Sequence, residues 1–254
     1  MKKHLFLTAL LGSLSMVSCN NDPVKEDAPP VLLPIKINYE SGNEKGKLTY
    51  SYDDNNRLTS FIVATNHRKE SKLFTYDVKG ALKSITLRAE KNFKIEYTIS
   101  YSTDKVFIEE VVYFGDDYPN SPPSKSFDTI TIDSNKNFIE GSNNFGSHNT
   151  CSYNEKGNLV KMTDASLDIV YDSENGMFKN VTTDPWVFIY FLRADLGQNF
   201  LNYKNNCKQI KINAPSTCDE VNFLISYNKE RYPAKIHNYD CFNSVQTIEY
   251  STVN

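Results

Sequence analysis

The sequence predicts an all-β fold, an antiparallel β-meander of repeated hairpins that curls toward an open barrel and includes one short helix. Three observations support this prediction. Apolar and polar residues alternate along most segments, short polar stretches separate those segments, and a unit centred on tyrosine recurs along the chain. Because residues two apart in a strand share a face, the alternation gives the sheet one apolar face.

The first copy of the repeated unit spans Leu48–Phe61 and consists of an alternating strand, a polar turn and a second alternating strand. Tyr50 and Tyr52 lie two residues apart, so they share the apolar face. The turn contains aspartate and asparagine, which tolerate turn geometry. A two-residue loop within this turn would pair Tyr52 with Arg57 across the hairpin.

Later segments repeat this unit with small changes in the turn. Each contains a tyrosine, an acidic or amide residue, a short polar turn and an apolar residue at a fixed offset. Units of this kind bury their apolar face only against their neighbours, so the recurring tyrosines are predicted to lie in the core. The copies are Leu73–Ile85, Thr150–Met162, Asp168–Val181 and Leu224–Ile236, with a weaker relative at Ile99–Phe107.

The N terminus has the layout of an exported lipoprotein. Residues 1–18 combine two lysines, an apolar core and small residues, as a secretory signal peptide does. Cys19 follows in a lipobox-like context and is the predicted lipidation site, although an ordinary signal peptide with an incidental cysteine is the alternative. Residues 19–30 then form the lipidated cysteine and a flexible, acidic, proline-bearing tether. Residues 31–254 are predicted to form a single all-β domain.

Two family resemblances follow from these features. The repeated turn units resemble the tyrosine-aspartate (YD) repeats of large bacterial shell and toxin-delivery proteins, although most copies lack the full tyrosine-aspartate-glycine set. The N terminus, the degenerate hairpins and an aromatic segment near Trp186 together resemble a Bacteroides-type lipoprotein family of unknown function, and this resemblance implies a porin-like fold. The residues that match the YD pattern are Tyr52, Asp53, Asn56, Arg57 and Leu58, and Tyr76, Asp77, Gly80 and Leu82.

Composition restricts the compartment and the partners. The 254-residue chain has a formal net charge of −3 and becomes more acidic when Lys2 and Lys3 leave with the signal, so nucleic acid is not an expected partner. A lipid anchor would hold the protein on the outer membrane, facing the periplasm or the cell surface. Expected partners are therefore that membrane and a glycan, a lipid or an envelope protein.

One segment departs from the strand period. Asp184 suits a helix cap and Pro185 a first helical position, so a helix is predicted over Trp186–Ala194. Its residues are apolar nearly all round, which indicates burial on several sides. The segment is interpreted as a plug or cap that fills a strongly curved sheet; the alternative is a wall for an apolar ligand.

The sequence contains no recognisable catalytic or metal-binding pattern. His67, His148 and His237 have no close cysteine or carboxylate spacing, and no cofactor motif is present. The acidic pairs at 53–54 and 116–117 fit turn chemistry better than calcium binding. The predicted function is therefore a non-catalytic binding or structural module of the cell envelope, with a hydrolase acting on envelope or dietary polysaccharide as the alternative.

Ligand-binding residues are expected outside the repeated tyrosine positions. Loops concentrate binding residues, which directs attention to Gly115–Lys125 and Gly141–Ser147 and, within the first, to Tyr118. Trp186, the single tryptophan, is the second candidate.

The cysteines predict one disulfide in an oxidising compartment. Extending a hairpin register that pairs Tyr227 with Tyr232 places Cys218 opposite Cys241. Four mature cysteines besides Cys19 allow three complete connectivities, so other pairings remain open, and Cys151 is also a candidate for a buried free thiol.

Overall fold

The computed structural model describes residues 30–142, 148–163, 167–212, 219–240 and 243–253, and within these ranges the chain forms sixteen β-strands. The strands are β1 (Val31–Ser41), β2 (Glu44–Tyr52), β3 (Leu58–Thr65), β4 (Lys69–Tyr76), β5 (Leu82–Ala89), β6 (Lys94–Tyr101), β7 (Lys105–Tyr113), β8 (Ser124–Ile132), β9 (Phe138–Ser142), β10 (His148–Tyr153), β11 (Leu159–Met162), β12 (Leu167–Tyr171), β13 (Cys207–Ile212), β14 (Glu220–Tyr227), β15 (Pro233–Asn238) and β16 (Ser244–Val253).

The strands form a closed antiparallel barrel. Each strand pairs with the next along the chain, and β16 returns to pair with β1 from Val31↔Val253 to Ser41↔Ser244. The predicted antiparallel β-meander is therefore confirmed, and the structure closes the sheet completely. Closure leaves no unpaired edge strand at the seam.

The barrel has two ends with different connections. The turn end contains the five-residue turns 53–57, 77–81, 133–137, 154–158 and 228–232, together with the start of β1 and the end of β16. The loop end contains the connections 42–43, 66–68, 90–93 and 114–123. Because β1 starts at the turn end, the first described residue, Pro30, lies there.

The turns at the turn end share one local structure. In the first, Asp53 Oδ1 accepts hydrogen bonds from the backbone N–H groups of Asn55 at 3.0 Å and Arg57 at 2.9 Å. Asn56 has a positive φ of 61°, a conformation that glycine and asparagine adopt most easily. Gly80 and Gly157 occupy the same place in two other turns, with φ of 88° and 79°. The repeated aspartate or asparagine and the repeated glycine are thus turn residues, as predicted.

This turn shifts the predicted hairpin register. The structure pairs Tyr52 with Leu58 and Tyr50 with Phe61, with a β-bulge between Ser51 and Tyr52, so the predicted pairing of Tyr52 with Arg57 is wrong. The loop is one bulged five-residue turn because the left-handed residue adds a position to one strand. The face assignment is nonetheless confirmed, since Tyr50 and Phe61 both point inward and are buried.

A tyrosine hydroxyl bridges neighbouring hairpins near the turn end. Between β3 and β4 the ladder stops at Ser60↔Leu73, and beyond it Tyr76 donates its hydroxyl hydrogen bond to the Leu58 carbonyl at 2.8 Å. The side chain therefore replaces backbone pairing where the two hairpins separate. The same bridge joins Tyr52 to the Pro34 carbonyl, Tyr153 to Phe138, Tyr171 to Leu159 and Tyr250 to Pro233.

The junction between β7 and β8 has a different residue and shows what the tyrosine replaces. Strand β8 ends in Ile132, where described strands such as β2, β4 and β10 end in tyrosine. There the ladder with β7 continues to Lys105↔Thr131, and the Ile132 N–H donates to the Asp104 carbonyl at 2.8 Å. The repeated tyrosine is therefore linked to the separation of neighbouring hairpins.

A helical segment fills the barrel. The plug, Pro185–Leu201, consists of consecutive turns at Pro185–Val187, Phe188–Leu192, Arg193–Leu196 and Gly197–Leu201, within the connection between β12 and β13. It contains the predicted helix and extends seven residues beyond it. Sixteen strands enclose more space than their own side chains fill. The interpretation as a plug is confirmed by its buried apolar residues: Trp186, Val187, Phe188, Ile189, Tyr190, Phe191, Leu192, Leu196, Phe200 and Leu201.

The outer face of the barrel is polar. Lysines at alternate strand positions, including Lys83, Lys161, Lys211 and Lys235, are exposed on it. Several form ion pairs across strands, such as Lys125 with Glu109 at 2.9 Å. In the part of the chain that the structure describes, no helix has both the length and the apolar character needed to cross a membrane.

Candidate functional site

Four charged side chains meet inside the barrel on its loop-end half. Glu70 and Lys72 point inward from β4, and Asp195 reaches them from the plug; their side chains are 8%, 7% and 1% exposed. Arg68 Nη2 lies 2.8 Å from Asp195 Oδ1, and Lys72 Nζ lies 3.1 Å from Glu70 Oε1. Arg68 also contacts Glu70, and Lys72 contacts Asp195. We call Arg68, Glu70, Lys72 and Asp195 the charge cluster.

The charge cluster holds the plug to the barrel wall. Two cations and two carboxylates balance one another, so burial leaves no uncompensated charge. Removing one partner from such a buried group costs roughly 3–5 kcal/mol, because the remaining charges stay buried without full compensation. The cluster therefore fixes the position of the far end of the plug.

Sequence reasoning missed the charge cluster, although one signal was present. Tyr76 and Phe74 lie on the inward face, and counting back by two along the strand reaches Lys72 and Glu70. Two charged residues on a predicted apolar face indicate a buried ionic group. Their partner Asp195 is 123 positions from Lys72 along the chain, and no local pattern connects the two.

A second polar group lies on the wall formed by β6, β7 and β8. The Tyr190 hydroxyl of the plug donates to Asp128 Oδ2 at 2.6 Å, and Tyr97 hydrogen-bonds to Glu110. Burial, and then the neighbouring carboxylates, raise the pKa of both Tyr97 and Tyr190 well above the ordinary tyrosine value. Both phenols are therefore neutral hydrogen-bond donors at physiological pH.

The top of the plug, its part nearest the loop end, is exposed at two described positions. Ala194 and Gly197 lie at the turn where the plug reverses direction, and both are exposed although the flanking Leu192 and Leu196 are buried. Gly197 has a positive φ of 55°, which glycine adopts readily.

The two ligand-binding candidates lie in different environments. Tyr118 is 64% exposed at the loop end, where its ring packs edge-on against Phe114 at 6.3 Å. Trp186 is fully buried near the turn end, and its indole Nε1 donates to Asp184 Oδ2 at 3.3 Å. The structure does not bring these two residues together.

Three predicted cysteine sites, Cys19, Cys218 and Cys241, lie outside the described residues. The register used to predict the disulfide is wrong, because a bulge between Ser226 and Tyr227 pairs Tyr227 with Pro233. The disulfide itself stays a prediction. Cys151 and Cys207 are buried as thiols and not as disulfides, which agrees with the interpretation of Cys151.

The acidic pairs take part in local contacts. Asp53 accepts hydrogen bonds from the turn and pairs with Arg57 at 2.7 Å. Partial burial acts to raise the pKa of Asp53, but these hydrogen bonds outweigh it and lower the pKa below its ordinary value. Asp116 accepts from the Asn92 amide at 3.0 Å, and Asp117 pairs with Lys91 at 2.8 Å. Among the residues that the structure describes, no group of three histidine, cysteine, aspartate or glutamate side chains is arranged to hold a metal ion.

Comparison with known proteins identifies similar structures only. No protein-family model and no curated protein sequence matches the chain. A porin-like protein from Bacteroides uniformis is similar over 89% of this chain and 98% of its own, with 10% identity and a TM-score of 0.49. A porin-like protein from Bacteroides vulgatus is similar over 87% of this chain and 99% of its own, with 16% identity and a TM-score of 0.41.

Proposed function

We propose that the protein is a lipid-anchored component of the cell envelope that binds a ligand or partner with its loop end and performs no catalysis of its own. The observation that carries this proposal is the position of the N terminus. Strand β1 starts at the turn end, so an anchor at Cys19 and the tether that follows it hold that end toward the membrane. The loop end then faces away from the membrane.

The surface of the barrel supports an anchored protein in water. Barrels that cross a bilayer have an apolar outer band, and charged residues within that band are destabilising. Here the outer strand positions hold mainly lysine, glutamate, serine and threonine, with scattered exposed apolar residues such as Phe127 and Leu224, while the core residues and the plug lie inside. The proposed membrane contact is therefore through the lipid of Cys19, on the outer membrane.

The contrast between the ends supports the choice of the loop end. Apart from the connection 172–206, which includes the plug, the turn end consists of short turns held by local backbone hydrogen bonds. The loop end contains the ten-residue connection 114–123, with exposed Tyr118, and the plug residues Ala194 and Gly197 are exposed on the loop-end half. Binding residues concentrate on loops that a rigid scaffold positions, and the plugged barrel is such a scaffold.

Oriented immobilisation tests this proposal. The mature protein is attached to a surface either through its N terminus or through a biotinylated tag inserted at 120–121, and each surface is exposed to detergent extracts of envelope and to arrays of glycans and lipids. We expect saturable retention on the N-terminally attached protein and loss of retention on the other surface. Equal retention in both orientations would contradict the proposal.

Two alanine variants locate the binding surface. Tyr118→Ala removes an exposed ring at the loop end, and Val78→Ala removes a fully exposed side chain at the turn end. We expect only Tyr118→Ala to weaken retention. Turnover of a polysaccharide by the purified protein, abolished by one substitution that leaves the fold intact, would instead establish the hydrolase alternative.

A further inference from the structure

The charge cluster holds an amine against a carboxyl group in an enclosed and partly aromatic setting. The Lys72 ammonium group contacts the Asp195 carboxylate, and both side chains are buried. The Lys72 Nζ atom lies 5.8 Å from the centre of the Phe61 ring, which packs against the Tyr50 ring at 5.3 Å between centroids. Bulk water therefore has little access to the atoms of this pair.

A second carboxylate lies within reach of the same amine. Glu70 Oε1 is 3.1 Å from Lys72 Nζ, and the Glu70 side chain is buried. This oxygen accepts no hydrogen bond, although Lys72 is within ion-pair distance of it. The Lys72 amine thus has one carboxyl group in contact as a reaction partner and another as a base that can take its protons.

Arg68 lies on the other side of Asp195. Its Nη2 is 2.8 Å from Asp195 Oδ1, and this contact is an ion pair without the geometry of a directed hydrogen bond. A guanidinium group at this place stabilises negative charge on Oδ1. The Arg68 side chain is 47% exposed, so the cluster reaches solvent at Arg68, and a released water molecule has a route out there.

We propose that Lys72 and Asp195 become joined by an amide bond between their side chains, and that the ion-paired arrangement is the state from which this bond forms. One proton moves from the Lys72 ammonium group to Glu70, and the Nζ lone pair then attacks Asp195 Cγ. Negative charge develops on Oδ1 beside Arg68. Glu70 carries this proton, and then a second proton from Nζ, to Oδ2, which leaves as water.

The reaction needs no oxidant and no further reactant. An ammonium group and a carboxylate become an amide and one water molecule, and Glu70 ends as the carboxylate that it was at the start. The net charge of the cluster stays at zero, because Arg68 and Glu70 remain in contact as a balanced pair.

Two physical effects favour the bond at this place. The fold holds the amine against the carboxyl group, and alignment of this kind is equivalent to an effective concentration of roughly 10⁵–10⁸ M. A buried ion pair also carries a desolvation penalty, which a neutral amide largely avoids. Both effects are weak in a surface pair such as Lys125 and Glu109, whose side chains are 61% and 35% exposed.

The bond fastens the plug to the barrel wall covalently. Lys72 lies on β4 and Asp195 on the plug, and the two residues are 123 positions apart in the chain. The crosslink therefore keeps the plug attached to β4 even when the chain unfolds. This inference is independent of the binding proposed for the loop end, since it concerns only the interior of the barrel.

Peptide mass spectrometry of the full-length protein tests the inference. The purified chain is folded, then denatured and digested with trypsin, which does not cleave after an acylated lysine. We expect a branched peptide that joins residues 70–79 to residues 194–204, with the summed mass of the two segments less one water molecule. Lys125 and Glu109 are the internal control and should occur only in unlinked peptides. Complete cleavage after Lys72, with no branched peptide, overturns the inference.

A base variant tests the role of Glu70. Glu70→Gln keeps the shape of the side chain and leaves both bonding groups in place, so we expect the yield of branched peptide to fall at least about tenfold. Glu109→Gln makes the same change in the surface pair and should leave that yield unchanged. Circular dichroism shows whether each variant keeps the strand-rich fold. An undiminished yield in a folded Glu70→Gln protein overturns the proposed proton transfer.

Discussion

The turn end and the loop end of the barrel satisfy their interior polar groups in different ways. At the turn end, a tyrosine hydroxyl pairs with a backbone carbonyl of the preceding hairpin, as Tyr171 does with Leu159 at 2.6 Å. At the loop end, charged side chains from β4 pair with Asp195, more than a hundred residues away in the chain, and Asn238 has no partner. The first arrangement repeats with the hairpin, and the second occurs once.

This difference separates the scaffold from the region available for binding. Most copies of the repeated unit pair the tyrosine hydroxyl with a carbonyl of the neighbouring hairpin, so most of the turn end follows from the repeat. The loop end depends on contacts between distant segments and retains unpaired polar groups. Sites that retain unpaired groups lower stability, and proteins keep them where a function requires them.

Raising the pH should give the largest change in the free energy of unfolding, and it should act on both ends of the barrel. Burial raises the pKa of Tyr76 to about 12, from the ordinary value of 10.0, and raises those of Tyr171 and Tyr97 further. The unfolded chain therefore loses these protons first. The stabilisation is complete below pH 10, the unfolded value, and is lost as the pH rises through the folded pKa.

Each such tyrosine should remove ~1.4 kcal/mol of unfolding free energy per pH unit within that window. Urea unfolding measured at about pH 9, about pH 10 and about pH 11 checks this prediction. Tyr76→Phe should reduce the slope of the free energy of unfolding against pH by the contribution of one tyrosine. A free energy of unfolding that stays constant across this range would contradict the buried, hydrogen-bonded state of the tyrosines.

Breaking the charge cluster should give the next largest loss of stability. This loss should come from contacts in the loop-end half of the barrel alone. Asp195→Ala removes one of the two carboxylates that Lys72 and Arg68 contact and leaves an excess positive charge in the cluster, so we expect it to lower the free energy of unfolding by roughly 3–5 kcal/mol. Urea unfolding measures the change. The double variant Lys72→Met with Asp195→Leu keeps the Arg68–Glu70 pair and should recover most of the loss. A loss below about 1 kcal/mol for Asp195→Ala would place the cluster among weak surface pairs.

Removing one tyrosine bridge should have a smaller effect at the turn end. Tyr171→Phe keeps the ring and leaves the Leu159 carbonyl without its donor, so we expect a loss of about 1–3 kcal/mol. Tyr118→Phe is the control, because Tyr118 is 64% exposed at the loop end, and its effect should stay within about 0.5 kcal/mol. Equal effects of the two variants would show that the bridging hydroxyl is dispensable.

Changing the left-handed turn residue should have the smallest effect. Lys136 has a φ of 62° in the turn 133–137, where glycine fits without steric strain. We expect Lys136→Gly to raise the free energy of unfolding by about 0.5–1 kcal/mol. Gly157→Ala makes the reverse change at the same place in another turn and should lower it by a similar amount. Thermal unfolding measures the change, and we expect the two variants to shift the Tm in opposite directions.

Much of the fold follows from patterns that are visible in the sequence. The alternation in segments such as Leu48–Tyr52 predicts inward and outward faces, and the repeated aspartate predicts the turns. Pro185 and the apolar residues after it predict the plug. These features depend on neighbours in the chain, so local pattern is sufficient to identify them.

Local sequence patterns do not predict the hairpin register or the partners of the interior polar groups. The bulged turn around Asn56 moves the partner of Tyr52 by one position and the partners beyond the bulge by two, and composition alone does not distinguish a two-residue loop from a bulged turn. The charge cluster requires the position of Asp195 relative to β4, which depends on how far the plug enters the barrel. The unpaired state of Asn238 depends on everything that surrounds it.

The sequence by itself determined the all-β class, the repeated hairpin with its tyrosine and turn residue, the polar outer positions and the buried helical segment. Each of these depends on the alternation of strand side chains or on the preferences of single residues for a backbone conformation. Tertiary structure alone decided the closure of β16 onto β1, the bridges between hairpins, the charge cluster and the position of the plug. Those features join residues that are distant in the chain, and only the packing of the complete barrel brings such residues within contact distance.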